Sequence, residues 1–253
     1  MYQDFLAALE QAGYQFQTFH DFIVNPLPKS IVLRHDVDDR NVNSLLFAQI
    51  QNSRGIRGSY YFRVVPESYN PEMMRTMEKM GHEIGLHYEE MDMAKGDIDR
   101  AYSLFVEHLN RFRKLVDVKT ICMHGSPRSK YDNKAIWTKY HYQDLGIVAE
   151  PYFDLKDKEI TYLTDTGMMW DGNRYSIRDR MSTAGSNHQF HTTEDMITAI
   201  KNDQFPNQCM INFHPQRWND NLILWSIETI RQRIKNVVKA LLVLRTQQSN
   251  VVK

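Results

Sequence analysis

Asp36 and Asp38 stand one residue apart in the segment Arg34-His35-Asp36-Val37-Asp38. In an extended chain, residues i and i+2 point to the same side, so both carboxylates can face one pocket. Two carboxylates that close do not both ionise cheaply unless a cation lies beside them. Their spacing therefore suits a division of labour, one binding a divalent metal and the other acting as general base on a water. The competing use of such a segment is to cap the helix that follows, a task that Asp39 and Asn41 can take instead. His35 carries no assigned chemistry.

Three histidines end short apolar runs in a similar way. His87 closes Gly81-His82-Glu83-Ile84-Gly85-Leu86-His87, and a histidine at a strand end is a good ligand for zinc or a similar divalent ion. Glu89 and Glu90 follow, where either carboxylate could reach a metal or hold one of its ligands. His82, at the opposite end of that run, is assigned to packing. His124 precedes Gly125-Ser126-Pro127, a turn that bares its side chain, and Arg128 beyond it could fix a carboxylate or a substrate anion. His214 precedes Pro215, which stops the last strand and leaves the ring at the rim. A neutral ring there accepts hydrogen bonds, and a protonated one donates to a leaving group. The turn-rich stretch 165–172 adds Asp165 and Trp170, and Arg217 and Trp218 follow His214. An aromatic platform beside carboxylates suits a sugar ring, although a core position suits Trp170 equally. Asp165, Trp170, Arg217, Trp218 and Arg128 are accordingly the candidate substrate contacts.

These residues need a frame that gathers them. Apolar, β-branched and aromatic runs at 31–33, 59–65, 82–87, 120–123, 147–149, 160–163 and 210–213 predict strands. Between them, helical spacing predicts helices at 42–53, 71–80, 98–115, 135–142 and 192–200. Peripheral helices are expected at 2–13, ended by Gly13, and at 222–245. The latter carries Leu224, Ile227, Ile230, Ile234, Val237, Val238 and Leu241 as a packing stripe, with Arg231, Arg233, Lys235 and Lys239 on a solvated face. Strands alternating with helices imply a mostly parallel sheet, and this many units favour a (β/α) barrel over an open sheet. Strand C-terminal ends share one face in such folds, so Asp36, Asp38, His87, His124 and His214 converge there.

Composition narrows the function classes. With 42% hydrophobic residues the chain is too apolar for disorder, and no repeat or linker divides residues 1–253, so one domain is expected. Basic and acidic residues balance at 31 each, so no global field recruits nucleic acid. The longest apolar run, 240–244, falls far short of the roughly 20 residues that span a bilayer. The start at Met1 has neither a basic n-region nor an apolar h-region, and Cys122 and Cys209 sit in apolar runs as inert buried thiols, so a cytoplasmic protein is expected. The chain also lacks a Gly-rich phosphate loop, a Gly-x-Ser-x-Gly elbow and a Cys-x-x-Cys zinc clip.

Taken together, Arg34-His35-Asp36-Val37-Asp38, Gly81-His82-Glu83-Ile84-Gly85-Leu86-His87-Tyr88-Glu89, Cys122-Met123-His124-Gly125-Ser126-Pro127, Thr164-Asp165-Thr166-Gly167 and His214-Pro215-Gln216-Arg217-Trp218 resemble the polysaccharide deacetylase superfamily, the NodB-like carbohydrate esterases of family 4. They are nearest a branch associated with surface-polysaccharide gene clusters of the O-antigen type. The resemblance implies a distorted (β/α) barrel with fewer than eight strands and a divalent metal cofactor, zinc being the expected ion. It places Asp36 as general base, Asp38 and His87 as metal ligands, and His214 as general acid to a departing amine. The substrate it implies is a carbohydrate or sugar amide carrying an N-acetyl group. The family's second metal histidine would fall at position 91, where this chain has Met91, and a thioether is a poor ligand for such a cation. His124 is the favoured replacement; Glu89, Glu90 or Asp92 are the others, and a weakened or lost site is the remaining possibility.

Two further functions fit the same residues. One is hydrolysis of a small cyclic amide, which a tight, closed pocket would favour. The other is a non-catalytic carbohydrate-binding or assembly protein on a degenerate deacetylase frame, for which Met91 argues. Retention of both aspartates and His214 argues against it, since buried ionisable groups are costly to keep.

Overall fold

The computed structural model describes residues 1–126, 129–171 and 190–218. Arg128 and the helix expected at 222–245 lie outside the described residues. The chain opens with α1 (Tyr2–Gln11), after which Gly13 takes a positive φ of 79° that a helix-ending residue with a Cβ adopts poorly. A short strand β1 (Gln15–Gln17) and helix α2 (Phe19–Val24) lead into β2 (Ser30–Val37). There follow α3 (Asn41–Asn52), β3 (Ser59–Phe62), α4 (Pro71–Lys79), β4 (Glu83–Tyr88), α5 (Glu90–Met93), α6 (Ile98–Arg113) and β5 (Ile121–Met123). After two 3-10 turns come α7 (Pro151–Asp154), β6 (Thr161–Thr164), α8 (Thr193–Lys201), β7 (Gln208–Phe213) and a last 3-10 turn, Pro215–Arg217. Local chemistry sets the helix starts: Asn70 caps α4 ahead of Pro71, Asp97 caps α6, and Thr192 forms a reciprocal capping box with Asp195 on α8.

All strand pairs are parallel, and the sheet runs β5-β4-β3-β2-β7-β6, with β1 beside the lower half of β2. The protein is thus α/β, with six parallel strands curled into a half-barrel. The run at 147–149, expected as a strand, contributes a single parallel bridge, Thr120 to Ala149, beside β5. The helix expected at 135–142 is instead two 3-10 turns, Asn133–Thr138 and Tyr142–Leu145.

Alternation along the strands divides the molecule into two cores. Ile31, Leu33, Tyr60, Phe62, Ile84, Leu86, Ile121, Cys209, Ile211 and Phe213 turn outward and pack under α1, α3, α4, α6 and α8. Val32, Tyr61, Cys122 and Met210 turn inward and meet Phe19 and Phe22 of α2. Helix α2 therefore plugs the half-barrel at the strand starts, where the Phe19 amide donates to Ser59 Oγ and the His20 amide to Glu83. The opposite, C-terminal end is left to polar side chains. Among the described residues no helix is long and apolar enough to cross a membrane.

Candidate functional site

The inward side of each strand continues upward into polar and ionisable groups: Arg34 and Asp36 on β2 and Asp38 just past it, Arg63 just past β3, His87 on β4 and Glu89 just past it, His124 just past β5, and Asn212 on β7 with His214 just past it. His35, of opposite parity, lies outside this site. It is fully buried on the helix side, stacked on Tyr60 at 4.1 Å between ring centres, with Nδ1 on the Ser59 carbonyl and Nε2 on the Gln51 amide. Burial holds it neutral, its pKa lowered to about 3. His82 is likewise structural, accepting from the Gly58 amide and donating to the Ala48 carbonyl.

Three histidines present the same ring edge to Asp38. Each Nδ1 faces an acceptor and so carries the hydrogen: His87 on the Cys122 carbonyl at 2.9 Å, His124 on Glu89 at 2.9 Å, His214 on Asp165 at 2.6 Å. Their Nε2 atoms point inward. His87 Nε2 lies 3.6 Å and His124 Nε2 3.7 Å from Asp38 Oδ1, and His214 Nε2 lies 4.0 Å from Asp38 Oδ2.

The carboxylates are distributed unevenly among the arginines. Asp36 takes a two-pronged contact from Arg34 at 2.9 and 2.7 Å and a further bond from Asn212 at 2.9 Å. Glu89 takes a two-pronged contact from Arg63, and Asp165 accepts from Arg217. Asp38 has no such arginine partner among the described residues. Its Oδ2 accepts from Gln216 at 3.3 Å, whereas its buried Oδ1 has no hydrogen bond. Burial works to raise the pKa of Asp36, yet the Arg34 charge and the nearby His87 and His214 outweigh it and bring the value down to about 2. Burial opposes ionisation of Asp38 too, and the three surrounding histidines lower its pKa nonetheless. His87 goes the other way: burial outweighs the attraction of Asp36 and lowers its pKa to about 4, which keeps its Nε2 lone pair free.

Asp38 Oδ1 faces the Nε2 atoms of His87 and His124. Burial opposes a charge on His124, yet the Glu89 hydrogen bond and the Asp38 charge outweigh it and raise the His124 pKa. A positive charge among the three atoms, proton or metal ion, satisfies the arrangement. Asp38, His87 and His124 thus bring together the donor types of a divalent-metal site, a carboxylate and two imidazoles. A second grouping overlaps this one. The donor atoms of Asp36, His87 and Cys122, all buried, lie within 4.8 Å of one another and could also hold a metal. Both Asp36 oxygens already accept hydrogen bonds, and Cys122 would have to lose its proton before binding an ion. Cys122, expected to be an inert thiol, is nevertheless a candidate donor. Met91 is buried in the outer core and stands as no ligand.

In comparisons with known proteins, no family model matches the chain, and no curated protein matches it.

The expected substrate contacts among the described residues, Asp165, Trp170, Arg217 and Trp218, lie together beside His214 and line one cavity. Asp165 is spent on its neighbours, accepting from the His214 amide and Nδ1, from Arg217, and from Trp218 Nε1 at 2.9 Å. Asp165 and Arg217 therefore serve His214 rather than open solvent. Trp170, for which a sugar platform and a core position are equally open from the sequence, is 6% exposed and packs edge-on against Phe213 in the outer core, its Nε1 donating to Thr193. With Asp165, Arg217, Trp218 and residues of α1 and α3 it lines a cavity of about 850 Å³. Arg34, Arg63 and Asn212 are site residues that the sequence reading passed over. Their signal was parity, since Arg34 shares the inward face with Asp36 and Asp38.

Proposed function

We propose that this chain is a metal-dependent amide hydrolase that removes an N-acetyl or related acyl group from an amino sugar of a surface polysaccharide or its precursor. The observation that carries this reading is Asp38: a carboxylate without an arginine partner, with an orphan buried oxygen, ringed by three imidazole Nε2 atoms. The curled parallel sheet suits a deacetylase-like distorted barrel. Two buried cysteines held in no disulfide suit action in the cytoplasm, on a precursor.

Asp38, His87 and His124 would hold the ion, and a donor set of two imidazoles and a carboxylate suits zinc. Such an ion supplies Lewis acidity, polarising the amide carbonyl and acidifying a neighbouring water. Asp36, kept ionised by Arg34, accepts the proton of the attacking water. Asn212 and Arg34 fix the direction of its carboxylate throughout. His214, oriented through Nδ1 by Asp165, donates from Nε2 to the departing amine nitrogen, on the opposite flank of Asp38 from His87 and His124.

The test is acetate release from N-acetylglucosamine oligosaccharides together with the zinc content of the purified chain. One zinc per chain, with Asp36→Asn inactive yet zinc-loaded and Asp38→Asn zinc-free, is the expected pattern. A chain that binds no divalent ion, or an Asp36→Asn variant with unchanged hydrolysis, refutes it. Zinc binding without hydrolysis of any amide would favour the non-catalytic carbohydrate-binding alternative.

A further inference from the structure

The third donor of the proposed site, His124, comes from the turn after β5 rather than from position 91 on α5, and something must hold it there. We propose that Arg63 and Glu89 are positioning residues that form a clamp presenting His124 to the metal, an inference that rests on the cation site proposed above. His124 lies beyond the end of β5 in a turn, anchored through its amide to the Tyr88 carbonyl. Its ring is fixed from behind by Glu89 Oε2 and from the side by His87, edge-to-face at 5.1 Å between ring centres. Glu89 is itself 6% exposed and is held by Arg63, with Nε on Oε1 at 3.0 Å and Nη2 on Oε2 at 2.8 Å.

Arg63 has a second attachment that makes the clamp a bridge. Its Nη1 donates to the main-chain carbonyl of Asp38 at 3.3 Å. Its own amide donates to Ser68 Oγ, and that hydroxyl donates to the Val37 carbonyl. One guanidinium thus ties the segment carrying Asp38 to the carboxylate carrying His124. Two residues that would hold the proposed ion, Asp38 and His124, are tied to one side chain. His87 has no such arrangement, since its Nδ1 rests on a neutral carbonyl of the rigid sheet. The contrast is chemically sensible: the ligand on the sheet needs only a tautomer fixed, whereas the ligand on a turn needs its position fixed too. The anion behind His124 also strengthens its Nε2 as a donor, and Arg63 keeps that anion from being neutralised.

Groups behind a metal ligand typically change metal affinity by about 10–100-fold when removed. Zinc affinity, read by competition with a chromophoric chelator, should therefore fall by about that factor in Glu89→Gln, which keeps a hydrogen-bond acceptor but loses the charge. Arg63→Lys, which keeps the charge but loses the fork, should fall similarly, and the double variant little further, because the two residues act as one unit. The visible absorption of the cobalt(II)-loaded chain should change in both variants, a readout that a general loss of stability would not move. Should Glu89→Gln fail to fold, judged by its melting transition, Arg63→Lys decides alone. If His124→Ala loses zinc while Glu89→Gln and Arg63→Lys keep wild-type affinity and cobalt spectrum, the clamp is wrong and the metal site stands. If His124→Ala binds zinc as wild type does, His124 is no ligand and the clamp is overturned. If the wild-type chain binds no zinc, the proposed function itself fails.

Discussion

Replacing Arg34 by Met tests the charge arrangement most directly. The Arg34 guanidinium is fully buried, forked onto both Asp36 oxygens and flanked by the rings of Tyr152 and Tyr162. Met retains an unbranched apolar stem among those rings but strands Asp36 as a buried carboxylate. Removing one member of such a pair costs about 3–5 kcal/mol. The acidity of Asp36 gives a separate figure: a carboxyl brought from 3.8 to about 2 corresponds to about 2 kcal/mol of net stabilisation, after burial has worked against it. In the wild type that contribution is present above the ordinary carboxyl pKa and is lost as pH falls through about 2. In Arg34→Met, burial acts unopposed by Arg34, so Asp36 titrates higher than in the wild type and the variant recovers on mild acidification. The deficit is therefore expected to be largest at neutral pH and smaller near pH 4.5. Urea unfolding followed by tryptophan fluorescence, with chelator present at both pH values, measures it. A deficit below about 1 kcal/mol at neutral pH, or one that does not shrink on acidification, refutes the pairing as the source of stability.

Asp165→Asn should lower kcat for amide hydrolysis by about 100-fold or more through loss of His214 orientation, with zinc affinity unchanged; an effect on zinc instead would remove Asp165 from the acid assignment. Trp170→Ala should cost about 3–5 kcal/mol in a melting or urea experiment while KM for the sugar stays as it was, and a changed KM with intact stability would restore Trp170 as a substrate platform. Gly85→Ala should destabilise by about 1–3 kcal/mol, because a Cβ there would lie 2.5 Å from the Tyr61 ring and 2.7 Å from the Thr120 carbonyl; wild-type stability would mean the half-barrel interior yields more readily than its packing implies.

The parts of the site legible in the sequence are those whose chemistry is rare at a strand end. Asp36, Asp38, His87, His124 and His214 were found because carboxylates and imidazoles following apolar runs are hard to explain by packing, and the structure gathers them within a few ångströms. The arginines were missed for a physical reason. A lone arginine at a strand end reads as a solvated charge, and the partner that holds the half-buried Arg63, Glu89, is 26 residues away. Arg34 was the recoverable case, since its partner is two residues along the same face. Trp170 was undecidable from its neighbours, because its burial is set by Phe213, which arrives from another strand. In the fold, long periodic helices such as α6 were readable, whereas β1 and α2 were too short for a period to register, although α2 closes the bottom of the half-barrel.

The strict parity of the site has a consequence for how this chain can change over time. Every site group here occupies alternate positions along its strand and the residues just past it, and the residues between them, Val37, Tyr88, Phe213 and the buried His35, face the helices. Point substitutions can therefore be sampled one at a time, each altering a single group. A one-residue deletion inside β2 is of another kind: it would rotate one stretch of the strand by half a turn relative to the other, carrying His35 or Val37 toward the pocket and a charge into the outer core. Length within the strands is thus far more constrained than identity at any one position, and variation in length should collect in the connections outside them.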